Sequence, residues 1–378
     1  MNALRSGMPA STTLAVEEVN TLAGFVALET EWNALVERAG AGVFLRHEHI
    51  RVWLESFAPR AALVILTARD HIGRLVAALP LLAERRSVCG YPARQLVAAA
   101  NTHSCRFDMI AEEPRSAGAA FLHSLLDRPG WDVLRLFDVP EGGNAWQLLH
   151  AAQEAALPVG IWESQRSPYL QFPTSHEALL SEKSAQFRAN LRRRRRQLER
   201  MGALAFERVA DETHLAERLA EGFALERSGW KGAQRTAIAQ DERTRVFYSR
   251  FAAAAARGGY LSLFLMRVDG KPVAFHYGLT YDGVYYVPKL AYDESLKGCS
   301  PGLVLLEEAI RDGIARGLRG YDFLGTDAEW KNNWSTESRP HHWLYIFRDT
   351  TVGRTLQKAK FHWVPAAKRW LQRRSYER

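Results

Sequence analysis

The sequence contains little cysteine. Cys89, Cys105 and Cys299 are an odd number in 378 residues, and no two of them form a Cys-x-x-Cys pair. This pattern excludes a disulfide framework and a cysteine-based zinc cluster, and it favours a reducing compartment. His47 and His49 lie two residues apart on a predicted helix and therefore point apart, so they do not form a metal set either. We expect no metal.

The sequence also lacks long apolar runs. The stretch over residues 75–83 reaches about half of the ~20 residues that a membrane-spanning helix needs. The amino end, MNALRSGMPASTT, has one arginine but no apolar stretch behind it, which argues against a secretory signal or an anchor. We predict a disordered tail over residues 1–13 and a cytoplasmic protein.

Acidic residues are outnumbered by basic ones. The chain has 42 Asp and Glu against 50 Lys and Arg, which gives a net charge of +8 and a pI near 9.5. Such an excess favours an anionic partner: nucleic acid, phospholipid, or a phosphorylated cofactor or carrier protein. Much of the charge lies in two segments, KSAQFRANLRRRRRQLER (183–200) and KAKFHWVPAAKRWLQRRSYER (358–378).

The first half reads as one α/β unit. Its segments AALVILTARD, RLVAALPLLAERR and RQLVAAA predict an antiparallel meander, and WDVLRLFDV predicts a further strand. A short strand at 159–162 completes the unit, which we expect to end near residues 168–173. Helical spacing of apolar residues predicts four helices, at 22–38, 47–57, 117–126 and 144–155.

The second half repeats this order, which suggests a weak internal duplication. Three strands, YLSLFLMRVDG, KPVAFHYGLTYDG and VYYVPKLAYDE, are joined by Asp-Gly pairs, a strong hairpin signal. A Ser-Pro-Gly corner, a helix and the strand GYDFLG follow. Helices are predicted at residues 186–201, 214–228, 242–257 and 303–316.

The corner after the third strand has the composition of a helix start. Ser300 suits the N-cap, Pro301 suits the first helical position, and Gly302 lets a ligand approach the backbone. A helix start with free N–H groups binds anions, and Lys297 adds a full charge just upstream. The alternative is simply a well-capped helix.

Pro288 lies inside the strand before this corner. Because proline has no N–H, it must interrupt the ladder and produce a bulge or a splayed edge. The strand GYDFLG arrives through a helix and would run parallel, which predicts a V-shaped gap between the two strands. A long thin ligand fits there, with its phosphates on the amides of Gly302 and Leu303 and a pantetheine-like arm along Lys289, Leu290 and Ala291.

The chain resembles the GNAT superfamily, specifically the two-domain FemAB-like type that includes CelD-like proteins associated with cellulose synthesis. The similarity covers most of the chain and is carried by ERSGWKGAQRTAI, by PVAFHYGLTYDGVYYVPKLAYDESLKGCSPGLVLLEEAI and by YDFLGTDAEWKNNW. The usual loop R/Q-x-x-G-x-G/A is replaced by Lys-Gly-Cys-Ser-Pro-Gly. The resemblance implies an α/β fold with a mixed sheet, in two tandem GNAT-like acyl-CoA N-acyltransferase domains.

The resemblance also implies a reaction. An acyl group passes from an acyl thioester, or in the cell-wall branch from aminoacyl-tRNA, to an amine. The expected donor is acyl-CoA or the phosphopantetheine of an acyl carrier protein, and the acceptor is a sugar, peptide or lysine amine. In the first half Glu112 and Glu113 precede the corresponding helix and would repel a diphosphate. We therefore assign the donor to the second half.

Direct transfer to an amine needs a base, an oxyanion donor and a proton for the leaving thiolate. Backbone N–H groups near Leu290 suit the oxyanion. Asp327, just past GYDFLG, is the favoured base, although it could equally cap the next helix. Further candidates are Asp322 in the strand, His276 on a neighbouring strand, and Tyr285 as a proton donor; each is also a plausible core residue.

Four residues are candidates for contact with substrate. Trp230 and Lys231 lie in the loop GWKG, and for Trp230 a packed loop anchor is the preferred interpretation. Lys331 lies one turn after Asp327 and could hold an acidic acceptor or a donor phosphate. Arg195 represents the five consecutive arginines of 192–196. Five arginines in a row are more than solubility requires, and the guanidinium group suits phosphate. Their target could be a carrier protein, the cofactor's 3'-phosphate, RNA or an anionic membrane.

The sequence thus predicts a disordered tail (1–13), a GNAT-like domain without a donor site (14–172), a GNAT domain with one (173–352) and a basic aromatic tail (353–378). Aromatic residues between the cations of this tail favour surface contact with an anionic membrane, although they could equally pack on the body of the protein. The predicted function is N-acyl transfer. The alternatives are an aminoacyl-tRNA-dependent transferase and a non-catalytic membrane-peripheral accessory protein of exopolysaccharide synthesis.

Overall fold

The computed structural model describes residues 14–228, 238–335 and 337–369, which fold into two α/β units. Unit 1 comprises the chain up to Arg51, Ala58–Ser164 and the chain from Pro340 onward. Unit 2 comprises Val52–Phe57 and Gln165–Arg339.

Unit 1 is built on a mixed sheet. Its strands follow the order β1-β2-β3-β4-β6-β13, with β5 on β3, and all these pairs are antiparallel except β4 with β6. The strands are β1 (Ala15–Val19), β2 (Ala62–Arg69), β3 (Leu75–Val88), β4 (Tyr91–Ala98), β5 (Ile110–Ala111), β6 (Val133–Pro140), the start of β7 (Val159–Gln171) and β13 (Ser338–Phe347). Its helices are α1 (Leu22–Ala27), α2 (Glu29–Arg38), a 3₁₀ turn (Val43–Leu45), α3 (His47–Phe57, shared with unit 2), α4 (Pro114–Asp127), α5 (Ala145–Glu154), α12 (Thr351–Lys358) and a π-helical turn (Ala359–Trp363).

Unit 2 has a second mixed sheet. The rest of β7 is followed in space by β12, β11, β10, β9 and β8, and of these pairs β11 with β12 is parallel. The strands are β8 (Leu204–Val209), β9 (Leu263–Val268), β10 (Lys271–Tyr281), β11 (Val284–Tyr292) and β12 (Gly320–Asp322). The helices are α6 (His176–Ser181), α7 (Ala185–Glu199), α8 (Leu215–Ser228), α9 (Glu242–Arg257), α10 (Pro301–Ala315) and α11 (Glu329–Asn332), with 3₁₀ turns at Ile238–Gln240 and Glu294–Cys299.

The predicted hairpins of unit 2 are confirmed. Asp269 and Gly270 connect β9 to β10 with φ of 47° and 77°, and Asp282 and Gly283 connect β10 to β11 with φ of 46° and 67°. Two successive residues with positive φ form a type I′ turn, whose twist matches that of the paired strands. These turns fix which faces of β10 and β11 are buried.

Both units share one topology, as the suspected duplication requires. In each, a three-stranded antiparallel meander leads into a helix whose first residue is a proline, Pro114 in α4 and Pro301 in α10. The strand after that helix joins the meander in parallel through three residue pairs.

The boundaries differ from those predicted. The short strand expected at 159–162 is the start of β7, which runs on to Gln171, because residues around Tyr169 pair with β12. The segment Ser338–Phe347, assigned by sequence to the second domain, forms β13 and pairs with β6 of unit 1. The helix expected over 22–38 is two helices that meet at Leu28. Among the described residues, no helix has both the length and the apolar character needed to cross a membrane.

The hairpin β10–β11 offers a test of the fold. Gly278 lies so close to its neighbours that an added Cβ would overlap the hydroxyl of Tyr285 and the carbonyl oxygen of Ser262. We expect Gly278→Ala to lower the free energy of unfolding by about 1–3 kcal/mol, as overpacked cores do, in a urea titration. Gly298→Ala is the control, since nothing lies within 4 Å of its Cβ position. Equal stability of the two variants would contradict this packing.

Candidate functional site

The strands β11 and β12 run together for only three residue pairs and then part. Val284, Tyr285 and Tyr286 face Gly320, Tyr321 and Asp322. Beyond Tyr286, β11 continues along β10 to Tyr292, whereas the chain after Asp322 turns towards β7, where the amide of Phe323 donates to the carbonyl of Pro168 at 3.2 Å. The two strands therefore separate after a short parallel ladder, as the predicted gap between them requires.

A β-bulge at Pro288 accompanies this parting. Tyr277 of β10 faces Lys289 and Leu279 faces Tyr286, so that Val287 and Pro288 together oppose the single residue Gly278. Proline cannot donate to a ladder, and an extra residue bends the strand that carries it. The bulge predicted from Pro288 is confirmed.

Helix α10 begins beside the end of β11. Pro301 occupies its first turn, as predicted, and a Cβ added to Gly302 would lie 3.2 Å from the ring of Tyr292, the last residue of β11. Ser300 occupies the N-cap position, but it is left-handed (φ 50°, ψ 57°) and its hydroxyl makes no capping bond, so the predicted side-chain cap is wrong. Its carbonyl accepts from the amides of Leu303 (3.0 Å) and Val304 (3.3 Å).

The missing cap leaves a donor in the first turn of α10. Within the described part of the chain, the amide of Gly302 has no hydrogen-bond partner. Ser300, Gly302 and Leu303 are partly exposed, and Lys297 is exposed on the preceding turn. The N-terminal end of a 15-residue helix carries partial positive charge, so the geometry at this corner suits an anion.

The arm proposed along β11 lies at the edge that β12 does not cover. Ala291 is buried, and Lys289 and Leu290 are half-buried. The ammonium of Lys289 lies 5.5 Å from the ring centroid of Tyr248 on α9. Lys289 therefore contributes a side-chain contact to α9, while its backbone belongs to the parted edge.

Two of the predicted catalytic side chains are core residues. His276 is 2% exposed, and burial lowers its pKa to about 3, which makes it a poor base at neutral pH. Tyr285 is 1% exposed and packs against Phe264 and Tyr321, and burial raises the pKa of its hydroxyl well above the usual range. Neither position supports the predicted role, because alternation along a strand places such side chains in the core whenever both sheet faces are covered.

The two carboxylates at the end of β12 have different environments. Asp322 is fully buried and accepts the amide of Leu324 at 3.0 Å, so it shapes the loop that follows. Asp327 is exposed in that loop and attracts the Lys331 ammonium. It does not cap α11, whose N-cap is Ala328, so the alternative reading of Asp327 as a cap is wrong.

Lys331 organises the loop rather than reaching outward. Its ammonium donates to the carbonyl oxygens of Leu324 at 2.6 Å and Thr326 at 2.7 Å, and the residue is 8% exposed. The structure therefore corrects its predicted contact with substrate. Leu324 is left-handed (φ 52°), a strained conformation for a bulky side chain that the sequence did not signal.

Helix α7 lies against the same corner. Arg194 donates to the carbonyl of Gly298, immediately before α10. Arg195 points inward, with Glu308 at 3.2 Å, Glu199 at 3.4 Å and Glu307 at 3.8 Å, so its charge is already matched and its predicted contact with substrate is corrected. Exposed arginines without a carboxylate partner among the described residues are Arg192, Arg193, Arg196 and Arg200.

The equivalent corner of unit 1 is closed to anions. Glu113 is the N-cap of α4, and Glu112 pairs with Arg38 at 2.8 Å and Arg74 at 3.4 Å. Near the end of β6, the carboxylate of Asp108 accepts the amides of Asn144 (2.9 Å) and Ala145 (2.7 Å) at the start of α5. A built-in acid thus occupies a helix start that an anionic ligand would otherwise use.

The remaining predicted or possible sites add no residue to the candidate site at the start of α10. Trp230 and Lys231 lie outside the described residues. A groove of about 570 Å³ between α8 and α9 opens beside the exposed Ala216, Ala220 and Ala224, on the side of α8 away from β10. No group of His, Cys, Asp or Glu in the described ranges could hold a metal ion.

Comparison with known proteins agrees with this geometry. Residues 185–332 match the family described as an acetyltransferase (GNAT) domain. Three solved structures share the fold at low identity: FemX (12% identity, TM-score 0.59, 88% of this chain and 97% of that one), the C-terminal domain of a putative lysylphosphatidylglycerol synthetase from Agrobacterium fabrum (11%, 0.54, 90% and 96%) and L-PGS from Bacillus licheniformis (13%, 0.54, 87% and 95%). No curated protein matches the sequence. The chain therefore has a mixed α/β fold, and its residues 185–332 are similar to an acetyltransferase (GNAT) domain, which indicates a transferase.

The role of Lys331 can be tested by its titration. Burial lowers its pKa from 10.5 to about 8, so between these values the unfolded chain binds a proton that the folded chain does not. Stability from this group therefore rises as the pH rises from about 8 to 10.5. In urea titrations at several pH values, we expect the free energy of unfolding of the wild type, relative to that of Lys331→Met, to increase over this pH range. Lys297→Met, at an exposed position, should follow the wild type; a pH-independent difference for Lys331→Met would contradict the assignment.

Proposed function

We propose that the protein is an N-acyltransferase that moves an acyl group from an acyl thioester held in unit 2 to an amine. The observation that carries the proposal is the parting of β11 and β12 beside the first turn of α10. The gap presents backbone along one side and a helix start with an unsatisfied amide at its end. A phosphorylated carrier with a narrow, amide-containing arm matches both features.

The donor would lie with its phosphates near Gly302 and Lys297 and its arm along residues 289–291. The pantetheine arm is narrow and extended, which suits a position along the bulged end of β11. Acyl-CoA and the phosphopantetheine of an acyl carrier protein share this chemistry.

The reaction we propose is a direct attack. The amine nitrogen forms a bond to the thioester carbonyl carbon while the oxygen takes up negative charge, for which backbone N–H groups near Leu290 are the proposed donors. The C–S bond then breaks, the nitrogen loses a proton, and the thiolate takes one from water. Asp327 is the proposed base because, unlike the buried Asp322, it is exposed in the loop after β12.

A second candidate function is transfer from aminoacyl-tRNA, favoured by the arginine row of α7. Arg192, Arg196 and Arg200 are four residues apart, so they share one face of the helix, and Arg194 ties this helix to the start of α10. A row of exposed guanidinium groups suits a phosphate backbone. The non-catalytic alternative is not carried further, because the matched domain is that of a transferase.

Among the predicted partners, a sugar, peptide or lysine amine remains the proposed acceptor, and an anionic membrane is a further proposed contact. The proposed compartment is the cytoplasm. The assignment to the CelD-like subtype and to exopolysaccharide synthesis stays a prediction.

The donor site is tested by charge at Gly302. We expect acetyl-CoA or palmitoyl-CoA to raise the melting temperature of the wild type, and Gly302→Glu to weaken this binding about tenfold or more, because a carboxylate would face the phosphates. Gly302→Gln has nearly the same volume without the charge and should lose less. If both variants bind as the wild type does, the phosphates lie elsewhere.

The nature of the donor is tested on α7. If tRNA delivers the acyl group, Arg192→Glu with Arg196→Glu should weaken tRNA binding at least about tenfold and flatten its dependence on salt. The control, Arg243→Glu with Arg245→Glu, makes the same change of charge on the exposed face of α9. If acyl-CoA stabilises both double variants as it does the wild type, and tRNA does not bind specifically, the tRNA hypothesis is contradicted and the thioester remains the proposed donor.

A further inference from the structure

Residues 351–369 form a helical segment that contacts the rest of unit 1 over its first half and is exposed over its last residues. Phe361 packs 5.4 Å from the ring centroid of Tyr345 and directly over Gly160 in β7. Gln357, one turn earlier, donates to the carbonyl of Val159 at 3.2 Å. After Phe361 every residue through Arg369 is exposed except the half-buried Pro365. This part of the helix therefore has no buried face in the described structure.

Apolar side chains lie on this exposed surface. Trp363 is 56% exposed and Val364 39%. Trp162 is 52% exposed, and because strand residues alternate, it projects from β7 on the same side as Gly160, the side that Phe361 covers. Two exposed indoles thus flank one anchoring contact within unit 1.

The charge around Trp363 in the sequence has one sign. Residues 351–369 contain no Asp or Glu, and Lys358, Lys368 and Arg369 are exposed. Residues 353–378 hold eight Lys or Arg and one Glu, a net +7 of the +8 carried by the whole chain. Arg354 is matched by Asp349 at 2.5 Å. One of the two basic segments of the chain thus carries exposed cations and an exposed indole on its described residues.

We propose that this C-terminal surface, formed by Trp162, Trp363, Val364, Lys358, Lys368 and Arg369, binds an anionic phospholipid bilayer. Indole rings partition into the boundary between headgroups and acyl chains, and neighbouring cations are attracted by anionic lipids. A second copy of the chain would bring like charges together. An RNA would match the cations, but a phosphate backbone offers Val364 no apolar environment. The contact does not depend on which donor unit 2 uses.

The test measures binding of the full chain to vesicles of phosphatidylcholine, with and without phosphatidylglycerol, by sedimentation. We expect binding only to the anionic vesicles. Each cation near an anionic membrane contributes about 1 kcal/mol to the free energy of binding. Lys368→Glu with Arg369→Glu should therefore lower the partition coefficient between vesicles and water at least tenfold. The matched control is Arg192→Glu with Arg196→Glu, which makes the same change of charge on α7 and should bind as the wild type does.

A second measurement reports the indoles directly. Lipids brominated in the acyl chains should quench tryptophan emission of the wild type, and Trp162→Ala with Trp363→Ala should remove most of that quenching. Ile72→Ala, at a 73% exposed apolar position on the β2–β3 turn, is the control. Equal loss of binding in both charge variants, quenching that persists without the two tryptophans, or binding to RNA oligomers but not to vesicles would each overturn the proposal.

Discussion

The candidate site depends on one backbone constraint: the absence of an N–H at Pro288. Because the bulge that it shares with Val287 opposes only Gly278, β11 leaves the line of β12 after three residue pairs. Close packing at Gly278 leaves no room for a side chain on the other strand, so the bend is held from both sides. The end of β11 and the start of α10 lie beyond the parallel ladder because this ladder is only three residue pairs long.

Unit 1 shows that topology alone does not make such a site. Its strands β4 and β6 also pair in parallel over three residues, and its helix α4 also starts with proline. The difference lies in charge: Glu113 stands at the N-cap of α4, and the carboxylate of Asp108 fills the start of α5. Burial raises the pKa of Asp108 to about 6 even against three amide donors, so this acid is held where solvent cannot stabilise it. The same architecture thus leaves an unsatisfied amide at the helix start of unit 2 and places carboxylates at the helix starts of unit 1.

Features set by a few neighbouring residues could be predicted from the sequence. The Asp-Gly turns, the bulge at Pro288 and the start of α10 at Pro301 follow from backbone chemistry, which is local. Side-chain roles could not, because they depend on distant partners. Arg195 is matched by acids of α10 more than 100 residues later, Lys331 turns back onto its own loop, and His276 is covered by packing. The strand β13 was missed for the same reason, since its partner β6 lies some 200 residues earlier.

The basic residues of the chain indicate a partner only where their side chains are exposed and are not already bonded within the protein. In α7, Arg194 donates to a carbonyl of the protein and Arg195 pairs with carboxylates. Arg188 donates to three carbonyls at the end of α6 and in the turn before α7. What remains is a row of exposed guanidinium groups with no indole or phenyl ring between them. At the C-terminal end, by contrast, exposed cations alternate with exposed tryptophan and valine. A row of cations alone suits a phosphate backbone, and cations beside exposed apolar side chains suit a lipid surface, so two basic segments of similar composition differ in the partner that each would suit because their packing differs.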